Sequence, residues 1–162
     1  MSREGRLYLD REGRFFFDGK PVENTRVAEL FHRSLEITSD GEILLRVGSD
    51  EATVEVEETA YTVRRVRDLA DGGILLSLND QSEEKLDPRT LFMGPGDDLY
   101  CLVKREGYPA RLLRSAYHHV ALRLREAPSG AGYVMVFPTG PIPIRTIPRR
   151  PGPTRSEGQG DQ

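Results

Sequence analysis

Two stretches of the chain, residues 7–57 and 99–147, read as one unit written twice. A repeated unit constrains a fold strongly, because each copy completes a core that neither could bury alone. Each stretch opens with a Leu-Tyr pair, Leu7-Tyr8 and Leu99-Tyr100, and continues through Arg-Glu-Gly at Arg11 to Gly13 and Arg105 to Gly107. An amphipathic helix follows in each, then an apolar strand (Ile43 to Val47 and Tyr133 to Phe137), a turn and one more strand. The expectation is an α+β fold of two tandem similar units, each a β-hairpin, a helix and a β-hairpin, with antiparallel sheets. Residues 1–68 would form the first α+β repeat, 69–98 a strand and connector, 99–147 the second repeat, and 148–162 a disordered tail.

Local chemistry supports these elements. Gly13 can take the positive φ of a bulged hairpin, and Asn24 or Thr25 can cap a helix with Val27, Leu30, Phe31 and Ser34 on one face. Glu29 and Arg33 form an i, i+4 pair on that helix, which is expected to end near Glu36 or Ile37. Strands are expected at Ala52 to Glu58, Tyr61 to Val66 and Ile74 to Leu78. The second helix is expected over Arg114 to Arg125, with Leu113, Tyr117, Val120 and Leu124 facing inward. Phe31 and Val120 are the expected core anchors of the two helices. Pro141 and Pro143 place the last strand at a sheet edge, since proline cannot donate to a ladder.

With 162 residues and 37% apolar content, the chain can bury one core or two small ones. No run approaches the length needed to cross a bilayer, and the first residues lack the apolar stretch of a secretory signal. The one cysteine, Cys101, cannot pair within the chain, so a reducing, cytoplasmic setting is expected. Its place mid-strand suggests a small buried hydrophobe rather than a reactive thiol.

Enzymatic signatures are absent: there is no Gly-x-Ser-x-Gly elbow, Walker-type loop, His-Glu-x-x-His or Cys-x-x-Cys, and no cofactor is expected. The histidines are His32, His118 and His119. Adjacent helical side chains diverge by about 100°, so His118 and His119 do not chelate a metal. His32 is expected to be solvated or held by structural hydrogen bonds.

The charge distribution singles out one constellation. Net charge is −3, yet residues 40–98 hold 15 acidic against 6 basic residues, and residues 104–125 hold 6 basic against Glu106 alone. Arg114 and His118 lie one helical turn apart near a helix start, where the macrodipole and free N–H groups favour an anion, and Arg111 precedes them. These three are the candidate ligand-binding residues. Phosphate, a carboxylate ligand, nucleic acid or the acidic part of this same chain could each satisfy them, the last with no extra assumption. The function expected is a non-catalytic binding or interaction module with a groove between the repeats, its partner a protein or small anionic ligand and not a membrane. The alternative is single-stranded nucleic-acid binding through residues 104–125, against which an overall pI of about 5.7 counts.

Several blocks also carry family resemblances. Tyr8-x-Asp10-x-x-Gly13-x-x-Phe16-x-Asp18, then Asn24, resembles the opening of the UPF0598 (DUF4505) family. Pro88-x-x-Leu91-x-Met93-x-Pro95, Leu99-Tyr100 and Leu112-x-Arg114-Ser115-Ala116 resemble its later blocks in the same order. The chain departs from that pattern in lacking its Cys-containing middle block. A fainter resemblance is to the DUF1285 family, which implies two tandem similar α+β units and a role in signalling. Neither resemblance implies a catalytic residue.

Overall fold

Residues 6–147 are described by a computed structural model. The chain begins with β1 (Leu7–Leu9), β2 (Phe15–Phe17), β3 (Lys20–Pro21) and α1 (Thr25–Arg33), then β4 (Leu35–Ile37), β5 (Ile43–Val47) and β6 (Asp50–Val56). These six strands form one sheet in the order β3-β2-β1-β6-β5-β4. Next come β7 (Tyr61–Asp68), β8 (Ile74–Leu78), β9 (Glu83–Lys85), a 3-10 turn at Pro88–Thr90, β10 (Phe92–Met93), β11 (Leu99–Val103) and β12 (Tyr108–Leu112). After α2 (Arg114–Ala121) the chain closes with β13 (Leu124–Glu126), β14 (Tyr133–Phe137) and β15 (Gly140–Thr146). The second sheet has nine strands in the order β13-β14-β15-β10-β11-β12-β7-β8-β9.

The expected α+β pair of hairpin, helix and hairpin units with antiparallel sheets is not the architecture. The described residues are 46% strand and 14% helix, and both sheets are mixed: β1 runs parallel to β6, β10 to β15, and β12 to β7. Short helices are one reason. α1 stops at Arg33, where the Ser34 hydroxyl donates to the Leu30 carbonyl at 2.7 Å, and Leu35–Ile37 pairs with β5 as a strand. Likewise α2 stops at Ala121, and Leu124–Glu126 pairs with β14. Over three residues a helical and a strand period cannot be told apart.

The second reason is pairing at long range. β7, placed by sequence in the first repeat, lies beside β12 in the second sheet, and the expected connector 69–98 supplies β8, β9 and β10 to that sheet. β15 is not an edge strand either. Its neighbour β10 meets it only at Arg145 and Thr146, so Pro141 and Pro143 leave no ladder bond missing on that side. The stretch 148–162, read as a disordered tail, lies outside the described residues.

Local capping follows the sequence. Asn24 Oδ1 accepts from the Val27 N–H at 3.1 Å, and Gly13 holds a φ of +80° in the β1–β2 loop. A side chain there would also approach Thr62 Oγ1 to 3.2 Å, so the loop lies directly against β7.

Nineteen buried residues form the core of the second sheet, whereas six (Leu7, Leu9, Phe15, Leu35, Leu45 and Val54) form that of the first. Val120 of α2 is fully buried. Phe31 of α1 is only half-buried, and the residue α1 sends inward is His32, 3% exposed. Cys101 is completely buried. Burial, with the nearby Glu84 charge, pushes its thiol up to about 12, which keeps it protonated and unreactive at neutral pH. No helix among the described residues is long and apolar enough to cross a membrane.

Candidate functional site

β12 places Arg111 directly opposite Tyr100 of β11. The Arg111 guanidinium donates to Glu58 Oε1 and to the Tyr100 hydroxyl, both at 3.0 Å, and lies 3.1 Å from Asp98 Oδ1. Tyr100 stacks on Phe92 with ring centroids 5.2 Å apart. Burial, then the neighbouring Glu58 carboxylate, pushes its phenol up to about 12. Arg111 is therefore committed to carboxylates of the acidic stretch 40–98, the internal alternative among those open to it.

Arg114 opens α2 and His118 follows one turn later, both exposed. Neither has a hydrogen bond or ion pair among the described residues. All three expected residues line one cleft of about 210 Å³, closed on other sides by Glu12 of the β1–β2 loop, Asp98 and Tyr117. The α2 cap residue is Leu113, which supplies no side-chain acceptor to the first turn. Glu12 and Asp98 bring negative charge into the same cleft, so its charge is balanced rather than strongly basic.

Two other cations of the basic segment are engaged as well. Lys104 Nζ meets Asp80 Oδ2 at 2.6 Å, and Arg123 meets Asp68 Oδ1 at 2.8 Å. His119 Nε2 lies 3.0 Å from the same Asp68 oxygen. The hydrogen bond from His119, with the Arg123 charge behind it, holds the Asp68 carboxyl below the usual carboxylate range. His119 is thus bound to Asp68 while His118 has no such partner among the described residues, and no group of three or more His, Cys, Asp or Glu among the described residues could hold a metal.

A larger site lies where side chains of α1 reach β7 and the turn after β8. Glu29 accepts two bonds from Arg64, at 3.2 and 3.0 Å, and a third from the Gln81 amide at 3.2 Å. Arg33 donates to the Gln81 carbonyl at 3.2 Å. The expected Glu29–Arg33 pair is replaced by this longer-range network.

Behind it Asn79, 1% exposed, joins three chain segments. Its Oδ1 accepts from the Thr62 N–H at 2.9 Å, and its Nδ2 donates to the Ala60 carbonyl at 3.1 Å and to His32 Nδ1 at 2.9 Å. An amide nitrogen only donates, so His32 Nδ1 carries no proton and the neutral ring is protonated at Nε2. Burial, then the Arg64 charge, lowers the His32 pKa from 6.5 to about 4.

This network borders a groove of about 550 Å³ lined by Thr25, Glu29, Arg64, Arg65, Ser77 and Gln81, with Ser82 and Glu83 at its end. A second hollow of about 280 Å³ shares Thr25, Glu29 and Arg64 and continues past His32 to Val22 and Phe15. Sequence reasoning missed this site. Its residues come from three segments with no diagnostic spacing, and Asn79-Asp80 after an apolar strand reads simply as a turn.

The architecture is similar to that of solved structures. A DUF1285 family protein from Silicibacter pomeroyi DSS-3 matches with a TM-score of 0.65 at 14% identity, over 87% of this chain and 80% of that one. A DUF1285 family protein from Shewanella baltica OS155 matches with a TM-score of 0.56 at 18% identity, over 73% of this chain and 91% of that one. No family model and no curated protein matches the sequence. The resemblance to UPF0598 is not supported, since its blocks are a few residues each and nothing matched belongs to that family. At these identities the likeness is one of fold, and the fold this chain shares is that of the DUF1285 structures.

Proposed function

We propose that the protein is a non-catalytic binding module that receives a polar ligand or partner segment in the groove between α1 and the β7–β8 hairpin. One observation carries this reading: α1 meets the second sheet there through a polar network that leaves an open groove of about 550 Å³. Its volume falls within the usual range for ligand sites, and hydroxyl, amide and charged groups line it. Glu29 and Arg64 already satisfy one another, and His32 is buried and neutral, so the groove offers hydrogen bonds without an evident nucleophile and base.

The test is an affinity capture from native lysate, with mass spectrometry of both bound proteins and small molecules. A wild-type bait is run against Ser77→Tyr and Arg65→Glu baits, which obstruct the groove and reverse a charge at its rim. Molecules enriched by wild type and lost from both variants support the groove. Identical recovery on all three baits refutes it.

A second reading is favoured by the convergence of Arg111, Arg114 and His118 on one cleft, where Arg114 and His118 could receive an anionic group. Arg114→Glu is expected to change stability by less than about 0.5 kcal/mol, as for an exposed charge. If the cleft binds anions, that variant loses the stabilisation that phosphate gives wild type in a thermal melt. A wild-type melt that phosphate leaves unmoved rules the reading out. Engagement of Lys104, Arg111 and Arg123 with Asp80, Glu58 and Asp68 weighs against the nucleic-acid alternative, because engaged cations release few counterions on binding phosphate.

A further inference from the structure

We propose that the hollow between α1 and the β5–β6 hairpin is a docking site for a cationic, amphipathic peptide segment of a partner protein, which inserts an aliphatic side chain beside Phe31. Apolar geometry comes first. Val27 and Leu30 of α1 each keep 37% of their surface exposed, and they share the helix stripe of half-buried Phe31. Beside Phe31 is a hollow of about 220 Å³ lined by Leu45, Val47 and Ala52, with Asp50 and Glu51 at its rim. The small core of the first sheet leaves this hollow unfilled, although packed interiors normally tolerate little empty space. A hollow of this size next to an exposed apolar stripe accepts one or two aliphatic side chains.

Charge selects the partner. Residues 40–58, which build the β5–β6 hairpin and its flanks, contain seven acidic residues and one basic residue, Arg46. Arg46 is taken up by Glu36 at 3.1 Å and Glu51 at 2.6 Å. Asp40, Glu42, Asp50 and Glu55 have no ion pair among the described residues. The cations of α1 are Arg26, beside Val27, and Arg33, which donates to the Gln81 carbonyl at 3.2 Å. An incoming Lys or Arg therefore meets the uncompensated Asp50 carboxylate at the rim, within a net acidic stretch, while its aliphatic neighbour enters the hollow, the helix-in-groove mode of recognition. An acidic partner would be repelled at the same place.

This site stands apart from the α1–β7 groove, so the two fail independently. The probe is a fluorescent amphipathic Leu/Lys peptide, with a Leu/Glu peptide of the same pattern as control, read by anisotropy at moderate salt. Three variants sort the causes: Ala52→Leu fills the hollow without adding charge, Asp50→Lys reverses the rim, and Glu55→Lys makes the same charge change where β6 faces away. Expected is binding of the Leu/Lys peptide alone, weakened at least tenfold by Ala52→Leu and by Asp50→Lys and less than twofold by Glu55→Lys, with melting temperatures preserved. Equal weakening by Asp50→Lys and Glu55→Lys would reduce the effect to net charge and overturn the proposal. So would unchanged binding to Ala52→Leu, or no binding of the Leu/Lys peptide to wild type.

Discussion

The two helices have similar lengths and opposite roles. α2 sinks Ala116 and Val120 completely into the large second-sheet core, whereas α1 fully buries only His32, packs Phe31 against the small first-sheet core and leaves Val27 and Leu30 each 37% exposed. Hydrophobic burial, at roughly 25 cal/mol per Å², thus anchors α2. α1 is held by hydrogen bonds that run through Asn79 and Glu29 to the second sheet. Polar attachment gives less net stability than burial, but it fixes geometry and leaves grooves on both sides of α1. The part of the molecule best placed to bind is therefore the part least committed to the core.

The largest expected effect lies on the α2 side. Val120→Asp puts an unpaired charge where no water reaches, and the protein is expected to lose cooperative folding altogether. A wild-type denaturation midpoint for that variant would break the comparison at its stronger end. Asn79→Ala is the corresponding cut at α1, stranding the Thr62 N–H, the Ala60 carbonyl and His32 Nδ1. With each stranded group costing about 1–3 kcal/mol and partial relaxation offsetting some of it, about 3 kcal/mol of stability should go. Hydrogen exchange should show α1 amides opening faster while β11 and β12 stay protected; uniform loss of protection would mean that the halves are a single cooperative unit.

Acid should find the same lock. Because the His32 pKa falls from 6.5 to about 4 on folding, the unfolded chain binds a proton below pH 6.5 that the folded chain refuses until about pH 4. Stability is then flat with pH above 6.5 on this account, declines as pH falls from 6.5 to 4, and loses about 3 kcal/mol over the whole interval. The carboxyls of Asp80, Asp68 and Asp71, whose pKa values are lowered, lose their contributions only in the carboxylate range, so the slope between pH 5 and 6.5 reports His32. Urea titrations of wild type and His32→Gln at stepped pH should show that slope in the first and not in the second.

The smallest of these effects sharpens the comparison. Phe31→Ala, at a half-buried position, should cost about 1–2 kcal/mol, below the 3–5 kcal/mol of a fully buried phenylalanine. A larger cost would place Phe31 among the core residues after all and weaken the distinction between the helices.

Much of the local structure was legible. The strands Ile43–Val47, Ile74–Leu78 and Tyr133–Phe137 have the limits their apolar runs suggest, and Asn24 caps α1 as its side chain allows. The inward position of Val120 follows the helical period of the second segment. Phe31 and His32 show where such reasoning stops. The apolar stripe of α1 names a face but not what lies opposite, and here a polar junction draws in His32. For the candidate site, the sequence brought Arg111, Arg114 and His118 together correctly in space, but not the carboxylates that engage Arg111 or the groove beside Glu29.

The sequence by itself determined which short runs are strands, where turns and the α1 cap fall, and which charges cluster, because propensity, periodicity and glycine conformation act over a few residues. Only the tertiary structure decided that β7 belongs with β12, that β1 joins β6 and β10 joins β15 in parallel, and that Asn79 holds His32. Parallel pairings and buried polar contacts join residues far apart in the chain. Their free energy depends on which surfaces are left to cover once the local elements have formed, and no short window of sequence contains that information.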